Sequence, residues 1–148
     1  MTGDEEDADT SASTDEAQSP EELLEDLAEL LFRQVHPKWI DDGSPTSQAF
    51  VPTKKDAGAL SIARGSLTTA ERAFQHHTTV LNLESAGSWA VTVGEAETAG
   101  LRSFGERPTG NPHGFIDFRE LGRKASERAG KILLARARDR GCLHPAGE

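Results

Sequence analysis

The sequence has one cysteine, no tyrosine and only eight aromatic residues among its 148. A single cysteine cannot form an internal disulfide, and the lack of a cysteine cluster argues against a zinc site. No apolar run approaches the ~20 residues that span a bilayer. The amino terminus lacks the basic start and apolar stretch of a secretory signal. These absences favour a cytoplasmic protein with no membrane contact.

Familiar catalytic and nucleotide-binding motifs are also missing. The chain contains no Walker A motif, G-x-G-x-x-G, G-x-S-x-G, H-E-x-x-H or EF-hand loop. Each absence argues against a well-known nucleotide, hydrolase or metal site. The sequence therefore predicts no metal and no cofactor.

Acidic residues are plentiful but unevenly distributed. The net charge is −9, yet residues 1–29 hold 12 of the 25 acidic residues and no basic one. The remaining residues hold 13 acidic and 16 basic side chains, which gives them a formal charge of +3. Residues 1–18 have almost no apolar side chains to bury, so we expect a disordered acidic tail there. Residues 19–148 are expected to form a single domain.

The periodicity of apolar residues in 19–148 predicts an α+β fold, in which a small sheet of three to four strands is covered by about three helices. The predicted helices are 19–35, 69–82 and 122–140. The predicted strands are 47–51, 59–63, 88–93 and 114–118, with a long Gly/Pro-rich loop over 102–113.

The first of these helices has three agreeing start signals. Ser19 is a suitable cap, Pro20 suits the first helical position, and Glu22 completes a capping box. Leucines then follow at helical spacing (Leu23, Leu24, Leu27, Leu30, Leu31). The helix must end by about residue 35, because Pro37 disfavours helical backbone in the residue before it. The alternative for residues 31–35 is that the chain is already extended there.

Five polar residues lie near the predicted ends of elements, where functional sites often form: Arg33, His36, Ser47, Ser61 and His113. An arginine and two histidines can bind a phosphate or orient a reacting group. We treat the five as candidate catalytic residues. The alternative is that Arg33 pairs with a carboxylate and the histidines are exposed or bonded to backbone.

Two further pairs of titratable residues are weaker signals. His76 and His77 are adjacent on a predicted helix, so they point roughly 100° apart and do not form a metal pair. His77 is expected in the core and His76 at the surface. Glu95 and Glu97 would share a face if the preceding strand continued, and could then act in acid–base chemistry. A solvated strand end is the simpler interpretation.

The last predicted helix carries a basic stripe, which consists of Lys124, Arg128, Lys131 and Arg138. Such a stripe is typical of a face that contacts a protein partner or weakly binds polyanions. Basic residues near a helix carboxyl end also interact favourably with the helix dipole. The lack of neighbouring aromatics argues against sequence-specific reading of nucleic acid.

The segments FRQVHPKWI, SQAFVPTKKDAGALSIARG, GSWAVTVGEA and NPHGFIDF resemble blocks of a small uncharacterised bacterial protein family. The resemblance covers about residues 31–118 and implies a shared fold without an activity. A weaker likeness, in the order of elements, is to ADP-ribosyltransferase-like folds. It implies NAD binding near Arg33, His36 and Ser61, with Glu95 or Glu120 as the acidic residue.

Two classes of function follow. The sequence favours a small bacterial accessory or interaction protein, of the kind found in defence or toxin-related systems, with the basic helix as its contact face. The alternative is a small ADP-ribosyltransferase-like or phosphate-handling enzyme with an Arg/His/Ser pocket, and only this alternative calls for NAD. The two differ in whether Arg33, His36, Ser61 and His113 converge in one cleft.

Overall fold

The computed structural model describes residues 21–108 and 110–146, so the tail predicted at residues 1–18 lies outside the described part. The described chain forms one seven-stranded antiparallel sheet and a separate two-stranded ribbon. The prediction of a small sheet with three to four strands is therefore wrong. The sheet is larger because several segments predicted as helix or loop are strands.

The strands are β1 (Glu21–Leu23), β2 (Leu30–Gln34), β3 (Ile40–Asp41), β4 (Ser44–Pro45), β5 (Ala59–Arg64), β6 (Gly87–Thr92), β7 (Arg102–Glu106), β8 (His113–Asp117) and β9 (His144–Pro145). The seven-stranded sheet has the order β1-β7-β8-β5-β2-β6-β9, and the ribbon consists of β3 and β4. The α-helices are α1 (Ala70–Gln75), α2 (Val93–Thr98) and α3 (Arg123–Arg140), and α1 continues into a π-helical segment (His76–Val80). Short 3-10 helices span Pro37–Trp39, Ser47–Phe50 and Lys54–Asp56.

The predicted helix over 19–35 is wrong for its described residues, because β1 and β2 occupy eight of the fifteen residues from 21 to 35. The alternative of extended chain over 31–35 agrees with β2. Between them the chain turns at Asp26, whose carboxylate accepts the Ala28 N–H and whose carbonyl accepts the Glu29 N–H. Leu24 is buried in the core, whereas Leu27 at the turn is 54% exposed. Leucines at this spacing suit a helix or two turn-linked strands. Residues 30–34 form a strand because β2 pairs with both β5 and β6.

Two other predictions fail for related reasons. The segment predicted as a strand over 47–51 is the 3-10 helix Ser47–Phe50, and its buried residues Ala49 and Phe50 pack below α3. The predicted loop over 102–113 contains β7, which pairs with both β1 and β8. The many glycines and prolines of that segment follow the strand, where the Arg107–Pro108 peptide bond is cis.

The remaining main elements confirm the sequence analysis. Strands β5, β6 and β8 and helix α3 lie within a residue or two of their predicted bounds. Thr69 caps α1 by accepting the Arg72 N–H at 3.1 Å. Gly141 ends α3 with a φ of +88°, which glycine adopts without strain. None of the helices in the described part of the chain combines the length and hydrophobicity that a membrane crossing requires.

The sheet has two unequal faces. One face packs against α3 and the 3-10 helix Ser47–Phe50, and it forms the main core around Leu31, Leu60, Trp89 and Leu133. The opposite face holds a small cluster in which Phe32 and Ala90 contact α1. Because α1 and its π-helical continuation are short, this second layer leaves part of β2, β5 and β8 uncovered. The candidate site lies over this uncovered part of the sheet.

Candidate functional site

A cleft of about 500 Å³ lies where the second layer ends. Its floor is the sheet at β2 and β5, one wall is α1 with the π-helical segment, and the other wall is the start of β8. The lining residues are Phe32, Arg33, Gln34, Ser61, Ile62, Ala63, Thr68, Arg72, Ala73, His76, His77, Leu81, Leu83, Asn111, Pro112 and His113. This size is within the range of small-molecule sites.

Five basic residues line the cleft: Arg33, Arg72, His76, His77 and His113. Arg33 lines it from beneath, because its side chain points to the face of the sheet that holds Trp89. No Asp or Glu among the described residues lines it. Apolar side chains such as Phe32, Leu81 and Leu83 make up much of the remaining wall. The cleft thus combines an apolar interior with an excess of groups that attract negative charge.

Arg33 lies in the floor, where it fills a gap between β2 and β5. These strands pair only at Leu31–Arg64 and Phe32–Ala63. Beyond that point, the Arg33 Nη1 donates to the Ser61 carbonyl at 3.0 Å, and its Nε donates to the Ala49 carbonyl at 2.8 Å. The guanidinium therefore satisfies carbonyls that would otherwise be left unpaired, and it holds the backbone of Ser61 in place.

The charge of Arg33 is buried without a carboxylate beside it. The residue is 9% exposed, its guanidinium is 5.5 Å from the centre of the Trp39 ring, and no described carboxylate forms an ion pair with it. Burial lowers the pKa of Arg33 to about 10, although the more distant charge of Asp56 opposes the shift. Arg33 is still cationic at neutral pH, and its guanidinium lies beneath the floor of the cleft, on the side of the sheet that carries Trp89 and the 3-10 helix Ser47–Phe50.

The π-helical wall contributes His76 and His77. Burial is the main cause that lowers the pKa of His77; a hydrogen bond with the backbone of Glu84 opposes it, and the positive charges of Arg33, His76 and His36 lower the pKa further. These nearby charges account for less of the shift than burial does. Residues Arg72 and His76 are four apart, which places both on the side of the helix that faces the cleft.

Ser61 and His113 meet at the opposite end of the cleft. The Ser61 Oγ lies 3.3 Å from the His113 Nε2, and the His113 Nδ1 lies 2.9 Å from the Glu106 Oε1. The side chains of His113 and Glu106 are 48% and 42% exposed, so solvent reaches this end of the cleft. The serine hydroxyl thus contacts the histidine, and the histidine contacts the carboxylate.

Of the five predicted catalytic residues, the structure places Arg33, Ser61 and His113 at the cleft. His36 does not line it, because its Nδ1 accepts the Lys38 N–H and its Nε2 pairs with the Glu84 carboxylate at 3.2 Å. Ser47 begins the 3-10 helix below α3, on the other side of the sheet. The expected convergence is therefore partial.

The sequence analysis missed Arg72, His76 and Glu106 as site residues. His76 was expected at the surface and His77 in the core, but both line the cleft, and His77 is half-buried. The spacing of Arg72 and His76 was the one available signal. Glu106 could not be found, because it lies in the segment that was predicted to be a loop.

Glu95 and Glu97 are not on a continued strand, because the chain enters α2 at Val93. The Glu95 carboxylate accepts the Thr92 N–H as part of a capping box and pairs with Arg140 at 2.9 Å. Burial opposes ionisation of Glu95, but the hydrogen bonds from Arg140 and Thr92 outweigh it and lower the pKa. Neither Glu95 nor Glu120 lines the cleft, so the structure brings no acidic residue of the ADP-ribosyltransferase-like pattern to it.

The basic stripe of α3 lies on the far side of the molecule from the cleft's layer. Lys124, Arg128 and Lys131 are exposed and make no hydrogen bond or ion pair within the described chain. Arg138 differs, because its guanidinium donates to the Pro45 carbonyl at 2.9 Å and to the Ser44 hydroxyl at 3.1 Å. We call Lys124, Arg128 and Lys131 the basic face.

Across residues 21–108 and 110–146, no group of three or more His, Cys, Asp or Glu residues is arranged to hold a metal ion. No protein-family model, curated protein or solved structure matches this chain. The site's own geometry is therefore the basis for any functional proposal.

Proposed function

We propose that this protein binds a small molecule in which a phosphate group is attached to an apolar body, and that the cleft is its binding site. The observation that carries the proposal is that five basic residues line the cleft while no described carboxylate is among its lining residues. Arg33 beneath the floor is buried and forms no ion pair with a described carboxylate, although buried cations are normally paired. An anionic ligand would supply the missing counter-charge.

Arginine suits a phosphate because its planar donors can contact two oxygens together. Arg33 supplies a fixed charge beneath the floor and no direct contact, since its Nε and Nη1 are already held by backbone carbonyls. Arg72 extends from α1 without a side-chain hydrogen bond in the described structure, so it is available to the ligand. Phe32, Leu81 and Leu83 provide the apolar contacts.

The first test is a titration with phenyl phosphate, followed by NMR of the backbone amides and by calorimetry. We expect millimolar or tighter binding, with shifts at residues 61–63, 72–77 and 111–113. Arg72→Gln should weaken binding at least tenfold, because one charge-assisted hydrogen bond is worth roughly 1.5–3 kcal/mol and about 1.4 kcal/mol corresponds to a factor of ten. Arg136→Gln on α3 removes the same charge away from the cleft and should leave the affinity unchanged.

Phenol and inorganic phosphate separate the two parts of the ligand, and each alone should bind more weakly than phenyl phosphate. NAD and AMP extend the series to nucleotides, and NAD tests the transferase alternative directly. If phenyl phosphate leaves the cleft amides unchanged at millimolar concentration, or if Arg136→Gln weakens binding as much as Arg72→Gln, the cleft is not a phosphate site.

We propose as a second function that the basic face contacts an acidic protein partner or another polyanion. Three neighbouring cations on a well-ordered, docked helix, all exposed and all without partners in the described structure, support this proposal. The contact would be non-specific and sensitive to salt, because exposed charges interact through water. It is independent of the cleft.

Replacing the basic face with glutamine (Lys124, Arg128, Lys131) should weaken binding of a labelled single-stranded DNA at low salt. Three phosphate contacts correspond to a slope of log K against log salt of about −2, which the triple variant should lose. The matched control, Lys38→Gln with Lys54→Gln and Lys55→Gln, removes the same net charge from exposed positions elsewhere. Equal losses in the two variants would show an effect of net charge and would argue against a defined face.

A further inference from the structure

The connection of Ser61, His113 and Glu106 follows from the register of three adjacent strands. Ser61 of β5 is opposite Phe115 of β8, and Ala63 is opposite His113. Because side chains alternate along a strand, Ser61 and His113 project from the same face of the sheet. Glu106 ends β7, which pairs with β8 on its other side. The three side chains therefore form a row across neighbouring strands of a rigid sheet.

The chemistry of the three groups fixes the direction of the hydrogen bonds. A carboxylate only accepts, so the His113 Nδ1 carries the proton that is donated to Glu106 at 2.9 Å. The Nε2 of the same ring is then the acceptor, and the Ser61 hydroxyl 3.3 Å away is its donor. A hydroxyl held by an imidazole that is itself oriented by a carboxylate is the arrangement that activates serine nucleophiles.

The surroundings of Ser61 add two features that a nucleophile needs. The side chain opens on the cleft, and its own carbonyl is held by the buried guanidinium of Arg33 at 3.0 Å. Arg33 thus fixes the backbone from which the Ser61 hydroxyl projects. A cationic side chain on the cleft side, such as that of Arg72, stabilises the charge that develops on a transferring phosphoryl group. Backbone pairing of β5 with β8 keeps the serine in one position.

We infer that Ser61 is the nucleophile of a phosphoryl transfer, His113 its general base and Glu106 a positioning residue. This inference rests on the proposed function, since it uses the phosphate-binding cleft. The preferred substrate class is a phosphodiester with at least one apolar substituent, whose single negative charge the basic cleft pairs.

The transfer has two balanced steps. The Ser61 Oγ forms a bond to phosphorus while the bond from phosphorus to the leaving oxygen breaks, and the serine proton passes to the His113 Nε2 and from there to the leaving group. Water then attacks the phosphoseryl ester, His113 accepts its proton, and the bond to the Ser61 Oγ breaks as that oxygen regains a proton. Glu106 stabilises the protonated imidazole throughout.

The test uses bis(4-nitrophenyl) phosphate, an activated diester with apolar rings, and the full chain. We expect release of 4-nitrophenolate and a covalent 4-nitrophenyl phosphoryl adduct, located on Ser61 by peptide mass spectrometry. Ser61→Ala should abolish the adduct, and His113→Gln should slow its formation at least about 100-fold, the usual range for a general base. Ser47→Ala, a serine outside the cleft, is the matched control and should react normally.

Glu106→Gln tests the positioning role. Labelling should slow about tenfold, whereas affinity for phenyl phosphate should not fall, because the change removes a carboxylate and no cation; a general loss of structure would lower both. Circular dichroism of each variant checks folding independently, and the exposed side chain of Ser61 makes Ser61→Ala a mild change.

The outcomes separate the two proposals. If phenyl phosphate binds in the cleft but the diester leaves Ser61 unlabelled, the nucleophile assignment is wrong and the binding site stands. If phenyl phosphate does not bind, the proposed function fails. If 4-nitrophenyl acetate labels Ser61 and the diester does not, serine is activated for acyl transfer and the assignment to phosphoryl transfer is overturned.

Discussion

Replacing Trp89 with alanine should lower the free energy of unfolding by about 3–5 kcal/mol. Trp89 is 6% exposed on β6, and it belongs to the main core that α3 covers. Its removal deletes the largest apolar side chain of that strand and leaves a cavity, which the two paired neighbours β2 and β9 cannot close because their backbones are fixed by the ladder.

Thermal and denaturant unfolding measure this change. For a domain of this size, the expected fall in Tm is roughly 10–20 °C. Leu27→Ala is the control, because Leu27 is large and apolar but 54% exposed at the turn between β1 and β2. That variant should change stability by less than about 1 kcal/mol. A Trp89→Ala protein as stable as the control would mean that Trp89 does not anchor the sheet to α3.

Glu29→Gln should cost about 3 kcal/mol at neutral pH, because it breaks one side of a buried ion pair. Glu29 is 6% exposed and accepts from the Arg64 Nε at 3.0 Å and from the Ser66 hydroxyl at 2.7 Å. An amide in this place turns a donor toward the guanidinium, so the Arg64 charge is left without compensation. The loss should loosen the junction between β2 and the end of β5.

The pH dependence of stability provides a second measurement on the same variant. Burial opposes ionisation of Glu29, but the hydrogen bonds from Arg64 and Ser66 outweigh it and lower the pKa below its ordinary value. The pair therefore contributes its full stability above the pKa of the unfolded chain and loses it as pH falls through the lowered folded pKa. The difference between wild type and Glu29→Gln should shrink from neutral pH to about pH 3.

Glu97→Gln is the matched control, since Glu97 is exposed on α2 and makes no ion pair in the described structure. It should leave stability and its pH dependence unchanged. A difference between wild type and Glu29→Gln that stays constant between the two pH values would contradict the assigned role of the Glu29 carboxylate.

These two predictions concern the parts of the molecule that hold the cleft in shape. The packing at Trp89 supports β6 and, through it, β2, which carries Arg33 opposite Trp89 in the ladder. The Glu29–Arg64 pair closes one end of the short β2–β5 contact, and the gap filled by Arg33 begins at its other end. Damage at either point should therefore also weaken binding of phenyl phosphate, even though neither residue lines the cleft.

Local signals in the sequence determined the elements that rely on near neighbours. Alternation in 88–93 predicted β6, and apolar spacing with Gly141 predicted α3 and its end. The Asp-Gly pair at Asp42 and Gly43 is another local signal, since both residues have the positive φ that a tight two-residue hairpin needs. In each case a short window contains the cause of the structure.

Partners far along the chain decided the rest. The leucines of residues 23–31 fit a helix by spacing, but β2 is a strand because β5 and β6 supply ladder partners on both sides. The residues of β7 were predicted to form a loop, but they form a strand because β1 and β8 pair with them on both sides. Hydrogen bonding between strands joins residues that are tens of positions apart, and no window along the chain contains that information.

The site divides in the same way. The residue types and their positions near the predicted ends of elements indicated that Arg33, Ser61 and His113 could carry chemistry. Only the sheet register placed Ser61 beside His113 and Glu106, and only the folding of α1 over part of the sheet brought Arg72, His76 and His77 to the same cleft. Side-chain chemistry is a property of the sequence, whereas proximity depends on which strands pair and which face a short helix leaves open.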